Sequence, residues 1–418
     1  MSQTTIFDEL ESQVRSYCRN WPVTLATAAG STVTTEDGTE YLDFFAGAGV
    51  MNYGHNDPDL TEALVDYLRS GAVVHSLDLH TVAKREFLTS FRDHVLRPRN
   101  LDHKVMFPGP TGTNSVESAL KLARKVTGRQ HILSFTNAFH GMTLGSLSVT
   151  GNSMKRQGAG LPLTNTSKIP YDNYFEGATE DFLWLERVLA DSGSGVDLPA
   201  AIIVETVQGE GGLNVARPEW LRALADLCKA HEILLIVDDV QAGVGRTGTY
   251  FSFEEAGIVP DIVCLSKALS GYGLPLALTL IRPELDQWEP GEHNGTFRGH
   301  NPAFVTGAAA LKKFWADDAF QLEVRERAAE LHEGLEKIAS GYPDAVVKGR
   351  GLLAGIEFPD KGAATRIAAS AFGKGLLVET SGPENEVLKT MPPLTITSGE
   401  LQRGLGILRE AAAEVFGR

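Results

Sequence analysis

Six short, nearly continuous apolar runs constrain this chain more than any other feature: residues 104–107, 131–135, 200–204, 233–237, 262–265 and 276–281. Apolar runs without polar alternation fit strands covered on both faces, as in a mostly parallel sheet. Helical patterns fall between them. Over 114–126, Val116, Ala119, Leu120, Ala123 and Val126 recur at three- and four-residue steps. Residues 218–228 open with a proline suited to a first helical turn. Strands alternating with helices predict an α/β fold with ligands bound at the carboxyl ends of the strands.

At 418 residues the chain is too long for one small domain. From about Ala308 the texture shifts to long charged helices such as 321–340 and 399–416, around a Gly-rich segment at 348–357. The expected organisation is a large domain over 51–307 and a smaller α+β domain over 308–418. Residues 1–50 are expected to pack on the small domain or on a partner subunit.

Composition removes several function classes. A net charge of −15 opposes nucleic acid or anionic membrane as partner, since both need clustered lysine and arginine. No apolar run approaches the roughly 18 residues of a membrane span. Residues 1–18 lack the basic start and apolar core of a secretion signal, so a cytoplasmic location is expected. Cys18, Cys228 and Cys264 are odd in number and scattered, and the histidines show no His-Glu-x-x-His pairing. Neither a disulfide framework nor a metal centre is expected.

Two strand ends carry the chemistry. The run 233–237 leads into Asp238, and 262–265 leads into Ser266-Lys267. A lysine amine condenses with an aldehyde cofactor, and an acid holds a pyridinium nitrogen protonated. Together these are the requirements of pyridoxal 5'-phosphate (PLP). The stretch Phe107-Pro-Gly-Pro-Thr-Gly112-Thr113-Asn114 follows a strand and opens a helix, an anion nest with a hydroxyl at Thr113. Phe139, in Asn137-Ala-Phe139-His140-Gly141, is an aromatic at a strand end that can stack on a flat ring. One rival is Gly243-Val-Gly245-Arg-Thr-Gly248, a literal dinucleotide fingerprint. No helix start follows it and two acids precede it, so its context argues against a nucleotide.

Taken together, these segments resemble the class III aminotransferases of the fold-type I PLP enzymes, from about Gly30 to Leu394. The most specific matches are Glu205-Thr-Val-Gln-Gly-Glu210-Gly-Gly, Leu235-Ile-Val-Asp238-Asp-Val-Gln241-Ala-Gly-Val-Gly-Arg-Thr-Gly, Ser266-Lys267 and Gly295-Thr296-Phe-Arg298-Gly-His-Asn-Pro. The stretches Phe107-Pro-Gly-Pro-Thr-Gly-Thr-Asn114 and Ala119-Leu-Lys-Leu-Ala-Arg-Lys-Val-Thr-Gly128, with Arg298, are similar, within that family, to the branch that makes L-2,4-diaminobutyrate for ectoine biosynthesis. The resemblance implies that Lys267 links the cofactor and shuttles the proton, and that Asp238 pairs with the ring nitrogen. It implies further that Gln241 bonds the phenolic oxygen, Phe139 stacks on the ring beside His140, and Gly112 and Thr113 hold the phosphate. Thr296 is expected to reach the phosphate of a neighbouring subunit, making a homodimer the minimum unit.

At the substrate end the chain departs from the pattern. Relatives acting on glutamate usually carry arginine three residues before a Pro-Pro pair. Here Lys389 stands there, before Pro392-Pro393. Lysine is a point charge without a bidentate fork. Arg298 is a second candidate for a substrate carboxylate, and Glu210 matches the family's switch glutamate. The expected reaction moves an amino group from L-glutamate to L-aspartate 4-semialdehyde. The alternatives are a transaminase for ornithine, 4-aminobutyrate or a polyamine, an aminomutase or racemase, and a catalytically silent PLP-fold binding protein.

Overall fold

The computed structural model describes residues 5–175 and 182–417; the first four residues of the N-terminal segment lie outside these. A seven-stranded sheet carries the site. Its strands lie in the order Lys104–Met106, Leu278–Ile281, Ile262–Leu265, Leu234–Asp238, Ala201–Val204, Ile132–Phe135, Thr166–Ile169. All run the same way except Leu278–Ile281, which is antiparallel to both neighbours. The interior strands Ile132–Phe135, Ala201–Val204, Ile262–Leu265 and Leu278–Ile281 are buried at every residue, which is why their sequences lack alternation. Thr166–Ile169 was not among the expected runs. It reads Thr-Ser-Lys-Ile at the sheet edge, where burial is partial and polar residues are tolerated.

The helix Gly112–Thr127 turns its apolar stripe onto this sheet, burying Val116, Ala119, Leu120 and Ala123. Ser115 and Ser118 are buried with it and satisfied by Thr279, at 2.9 and 2.7 Å. Those bonds tie the start of the helix to the sheet. Across the molecule, Asn301–Phe314 packs on Val82–Phe91. Gly307 permits the approach, since a Cβ there would lie 2.9 Å from the Phe87 ring. Phe304 joins Phe87 and Phe107 at centroid distances of 5.6 and 5.0 Å; truncating a buried ring like this to alanine costs ~3–5 kcal/mol. This helix is continuous across 307/308, so a cut at that point splits one packed element. The change of texture falls after Phe314.

Beyond it, Ala319–Ala339 and Ser398–Val415 pack together beside an antiparallel sheet of Val346–Arg350, Leu353–Glu357, Val387–Thr390 and Glu379–Ser381. The N-terminal strands Leu25–Ala29, Thr32–Thr35 and Glu40–Asp43 form a further sheet that is completed by Leu376–Leu377. The two ends of the chain are thereby stitched together. The glycine-rich rival motif is structural: its Arg246 is fully buried and donates to the carbonyls of Leu352 and Pro392 and to Asn52 Oδ1.

Candidate active site

The carboxyl ends of the parallel strands open into a cavity of ≈ 180 Å³. Gly112, Thr113, Phe139, His140, Asp238, Gln241, Glu210 and Lys267 all line it. Thus the sequence-expected cofactor residues converge, with one exception: Thr296 is exposed on a separate loop, where its carbonyl accepts from His75 Nε2 at 2.7 Å. Arg298 lies on that loop too, donating to Asn294 Oδ1 at 3.1 Å and not lining the cavity.

Lys267 follows the strand Ile262–Leu265 and adopts φ 51°, a left-handed backbone unfavourable for a side chain with a Cβ. Its ammonium donates to the Ala48 carbonyl at 3.0 Å. Burial pulls its pKa below the usual lysine range, which favours the neutral, nucleophilic amine. Ala48 was not anticipated. It sits in a run of left-handed residues (Ala46, Gly47 and Ala48 have φ of 48, 59 and 59°) that turns its carbonyl toward both Lys267 and Gln241. The alternating Ala-Gly sequence was the available signal.

Asp238 ends its strand and is 5% exposed. One carboxylate oxygen accepts the Val240 N–H at 3.2 Å, and the other accepts from His140 Nδ1 at 2.7 Å. Burial opposes charge on the imidazole, but the Asp238 hydrogen bond and charge outweigh it, and the His140 pKa is raised. Glu205, whose own pKa is raised by burial, accepts the Phe139 N–H at 2.9 Å and fixes the backbone that carries the ring.

At the phosphate nest, Gly112 begins the helix, and its first N–H groups have no intrahelical acceptor. The glycine is required by packing as well as by anion approach, because a Cβ would lie 2.9 Å from Val240 Cγ1. Thr113 Oγ1 bonds Thr143 and Ser146 at 2.7 and 2.8 Å, so a ring of hydroxyls edges the helix start.

Behind the cavity wall formed by Glu210 and Gln241 stands Lys389, which is fully buried in the middle of Val387–Thr390. Its ammonium contacts Glu210 at 3.0 Å and Glu379 at 2.9 Å, and Gln241 Oε1 at 3.4 Å. Gln241 Nε2 in turn donates to Glu210 at 3.3 Å. Burial pushes the Glu210 carboxyl up, but Lys389 and Lys267 override it and hold it at about 2. The two carboxylates similarly outweigh burial at Lys389 and raise its pKa. Glu379, by contrast, is raised, chiefly by burial. Glu379 and Tyr17 were missed. Glu379 lies directly across from Lys389 in the antiparallel pair, and no sequence spacing announces that register. The Tyr17 phenol is raised by burial and then by Glu379 and Glu210, so the N-terminal segment reaches this triad.

The arrangement fits PLP on its own evidence. A helix start and hydroxyls suit a phosphate, an acid at a strand end suits a ring nitrogen, and a lowered-pKa lysine whose amine rests on a backbone carbonyl suits an aldehyde. Among the described residues His140 Nε2 is also buried without a partner.

Fold and site together define an aminotransferase. The family model for class III aminotransferases matches residues 15–412, and the chain belongs to that family. Its cofactor is pyridoxal 5'-phosphate, and its substrates are amino acids and oxo acids. Proteins named diaminobutyrate–2-oxoglutarate transaminase are similar over nearly the full length. The one from Streptomyces avermitilis is 62% identical over 98% of both chains. That from Halalkalibacterium halodurans is 58% identical over 98% of this chain and 97% of its own. Among solved structures, the ornithine aminotransferase of Toxoplasma gondii superposes with a TM-score of 0.84 at 25% identity, covering 98% of this chain and 94% of that one.

Proposed function

We propose that this chain transfers the amino group of L-glutamate to L-aspartate 4-semialdehyde, giving L-2,4-diaminobutyrate and 2-oxoglutarate, the entry to ectoine synthesis. The observation that carries the reading is the Lys389–Glu210 pair at 3.0 Å. One site must accept two kinds of partner. Glutamate reacts at a carbon that bears a carboxylate, whereas diaminobutyrate reacts at a carbon that bears none. With Glu210 on Lys389 the cation is neutralised and suits diaminobutyrate. With Glu210 displaced, Lys389 meets the α-carboxylate of glutamate. The names of the full-length relatives support the same reading.

PLP, when bound, supplies an electron sink for the pair left as the substrate C–H bond breaks. The chain's residues do the rest. Lys267 Nζ takes the proton from one carbon and returns it to another, Asp238 offers its negative charge to the ring nitrogen, and Phe139 covers one ring face. Gln241 offers its amide to the phenolic oxygen, while Gly112 and Thr113 grip the phosphate. A homodimer completes the site through Thr296. Supporting this, Phe297 is 66% exposed, and Val73, Val74, Leu79 and Val82 are exposed on the segment that meets the same loop. Among the described residues no helix is long and apolar enough to cross a membrane, and the cysteines are unlinked, which fits action in the cytoplasm.

A half-reaction screen tests the reaction. Mixing the PLP-loaded enzyme with glutamate, diaminobutyrate, ornithine, 4-aminobutyrate and putrescine separately should bleach the visible cofactor band fastest with the first two. Faster bleaching by ornithine or putrescine sinks the assignment.

A further inference from the structure

The catalytic cavity adjoins a second one of ≈ 260 Å³, and the two share Phe139 and Glu210 as walls. Lys155 lines this second cavity from the short helix Ser153–Gln157, which Asn152 caps by accepting the Lys155 N–H at 3.0 Å. Its ammonium stands over the Phe139 ring, 4.2 Å from the centroid. Among the described residues it has no ion-pair partner. A ring face attracts a cation but does not neutralise it.

A dicarboxylate entering here meets an unfavourable field. Glu205, Glu210 and Asp238 line the cavity, against Lys267 and His140. His140 is committed to Asp238, Lys267 to the cofactor, and Arg298 lies on another loop. Lys389 can receive one carboxylate. The second needs another cation, and Lys155 is the one at hand, near enough for its charge to act on Glu210.

We propose that Lys155 receives the distal carboxylate of the substrate in both half-reactions. This rests on the transaminase reading above and sharpens it. In glutamate and 2-oxoglutarate the distal carboxylate carbon is three bonds from the reacting carbon. In diaminobutyrate, reacting at its terminal amine, the α-carboxylate carbon is also three bonds away. One fixed cation therefore serves both substrates, whereas the α-carboxylate of ornithine lies one bond further out. The division of labour follows: Lys389 reads whether the reacting carbon bears a carboxylate, and Lys155 measures the distance to the other one.

The test uses the PLP-loaded enzyme and glutarate, a dicarboxylate with no amino or oxo group to react. Lys155→Met keeps an unbranched side chain over Phe139 and removes the charge. Its glutarate dissociation constant, measured calorimetrically, should rise ten- to a hundredfold, the loss of one charge-assisted contact. KM should rise comparably for glutamate, 2-oxoglutarate and diaminobutyrate, with kcat changed only a few-fold. Lys155→Arg should restore most of both. Lys155→Gln provides a second neutral variant, and retention of the visible cofactor band certifies its fold. Unchanged glutarate affinity in the neutral variants overturns the proposal, as does an equal loss in Lys155→Arg, which would assign the effect to shape. Failure of the parent to use diaminobutyrate, with glutarate binding still dependent on Lys155, would sink the substrate assignment and leave this cation standing.

Discussion

The two ends of the catalytic cavity are built on different plans. At the cofactor end each group sits at the carboxyl end of a strand of one sheet: Asp238, Phe139 and His140 in the turns beyond, Lys267, and the helix entry at Gly112. At the substrate end the groups come from widely separated segments. Glu210 lies in a turn, Lys389 and Glu379 on neighbouring strands of another sheet, and Tyr17 in the N-terminal segment. The first plan is rigid because parallel pairing fixes where each strand stops. The second holds a buried cation between two carboxylates, with Gln241 linking it back to Ala48 and Lys267. A fixed end suits a cofactor that stays bound through both half-reactions. An end held by exchangeable ion pairs suits two alternating substrates.

The largest effects should therefore come from the rigid end and spare no substrate. Lys267→Ala should abolish turnover with every donor while leaving the fold intact, because the link and the proton carrier vanish together. Appreciable activity without added amines would refute the assignment. Asp238→Asn should lower kcat by several orders of magnitude for all donors alike. It removes the negative charge facing the ring nitrogen and the one that sustains the raised pKa of His140. A loss confined to one substrate would blur the distinction between the two ends.

At the exchangeable end the effects should be smaller and should divide by substrate. Lys389→Met should raise KM for glutamate and 2-oxoglutarate roughly ten- to a hundredfold, about 1.5–3 kcal/mol for a lost charge-assisted contact, and change diaminobutyrate less. It should also reduce stability, since the buried Glu379 and the half-buried Glu210 lose their cation. Glu210→Gln should act in the opposite sense, favouring substrates with a carboxylate on the reacting carbon. Steady-state kinetics on each half of the reaction decides it. Equal losses for all substrates in both variants would make this end structural.

The same contrast explains what could be read in the sequence. Asp238 and Lys267 were legible because an apolar run that stops at a charged residue states both the strand and its end. The edge strand Thr166–Ile169 was not, since partial burial leaves polar residues without a diagnostic pattern. Lys389 and Glu210 were visible only through family resemblance. Their contact depends on the placement of one sheet against another, which local spacing does not encode. Glu379 faces Lys389 through strand register alone, and Tyr17 arrives from the far end of the chain. Lys155 lies on a five-residue helix and gains meaning only from the ring beneath it.

Glu379 should show the smallest effect, and a pH-dependent one. Both Glu210 and an incoming α-carboxylate feel the negative charge of Glu379, so exchange of one for the other nearly cancels its influence. Glu379→Gln should accordingly shift KM for glutamate only a few-fold near pH 8. Burial raises the Glu379 pKa above the ordinary carboxylate value, whereas Glu210 is held at about 2. Of the two carboxylates on Lys389, Glu379 is the one that takes up a proton as pH falls toward its raised value, and Lys389 then faces one counter-ion fewer. Glutamate and 2-oxoglutarate should bind more tightly as pH is lowered through that range, while diaminobutyrate, with no carboxylate on its reacting carbon, should show the trend weakly. In Glu379→Gln the trend should flatten, since the side chain is neutral at every pH. A parent enzyme whose dicarboxylate KM is flat or rises with acidity down to the onset of unfolding would show that Glu379 stays ionised beside Lys389 over that range.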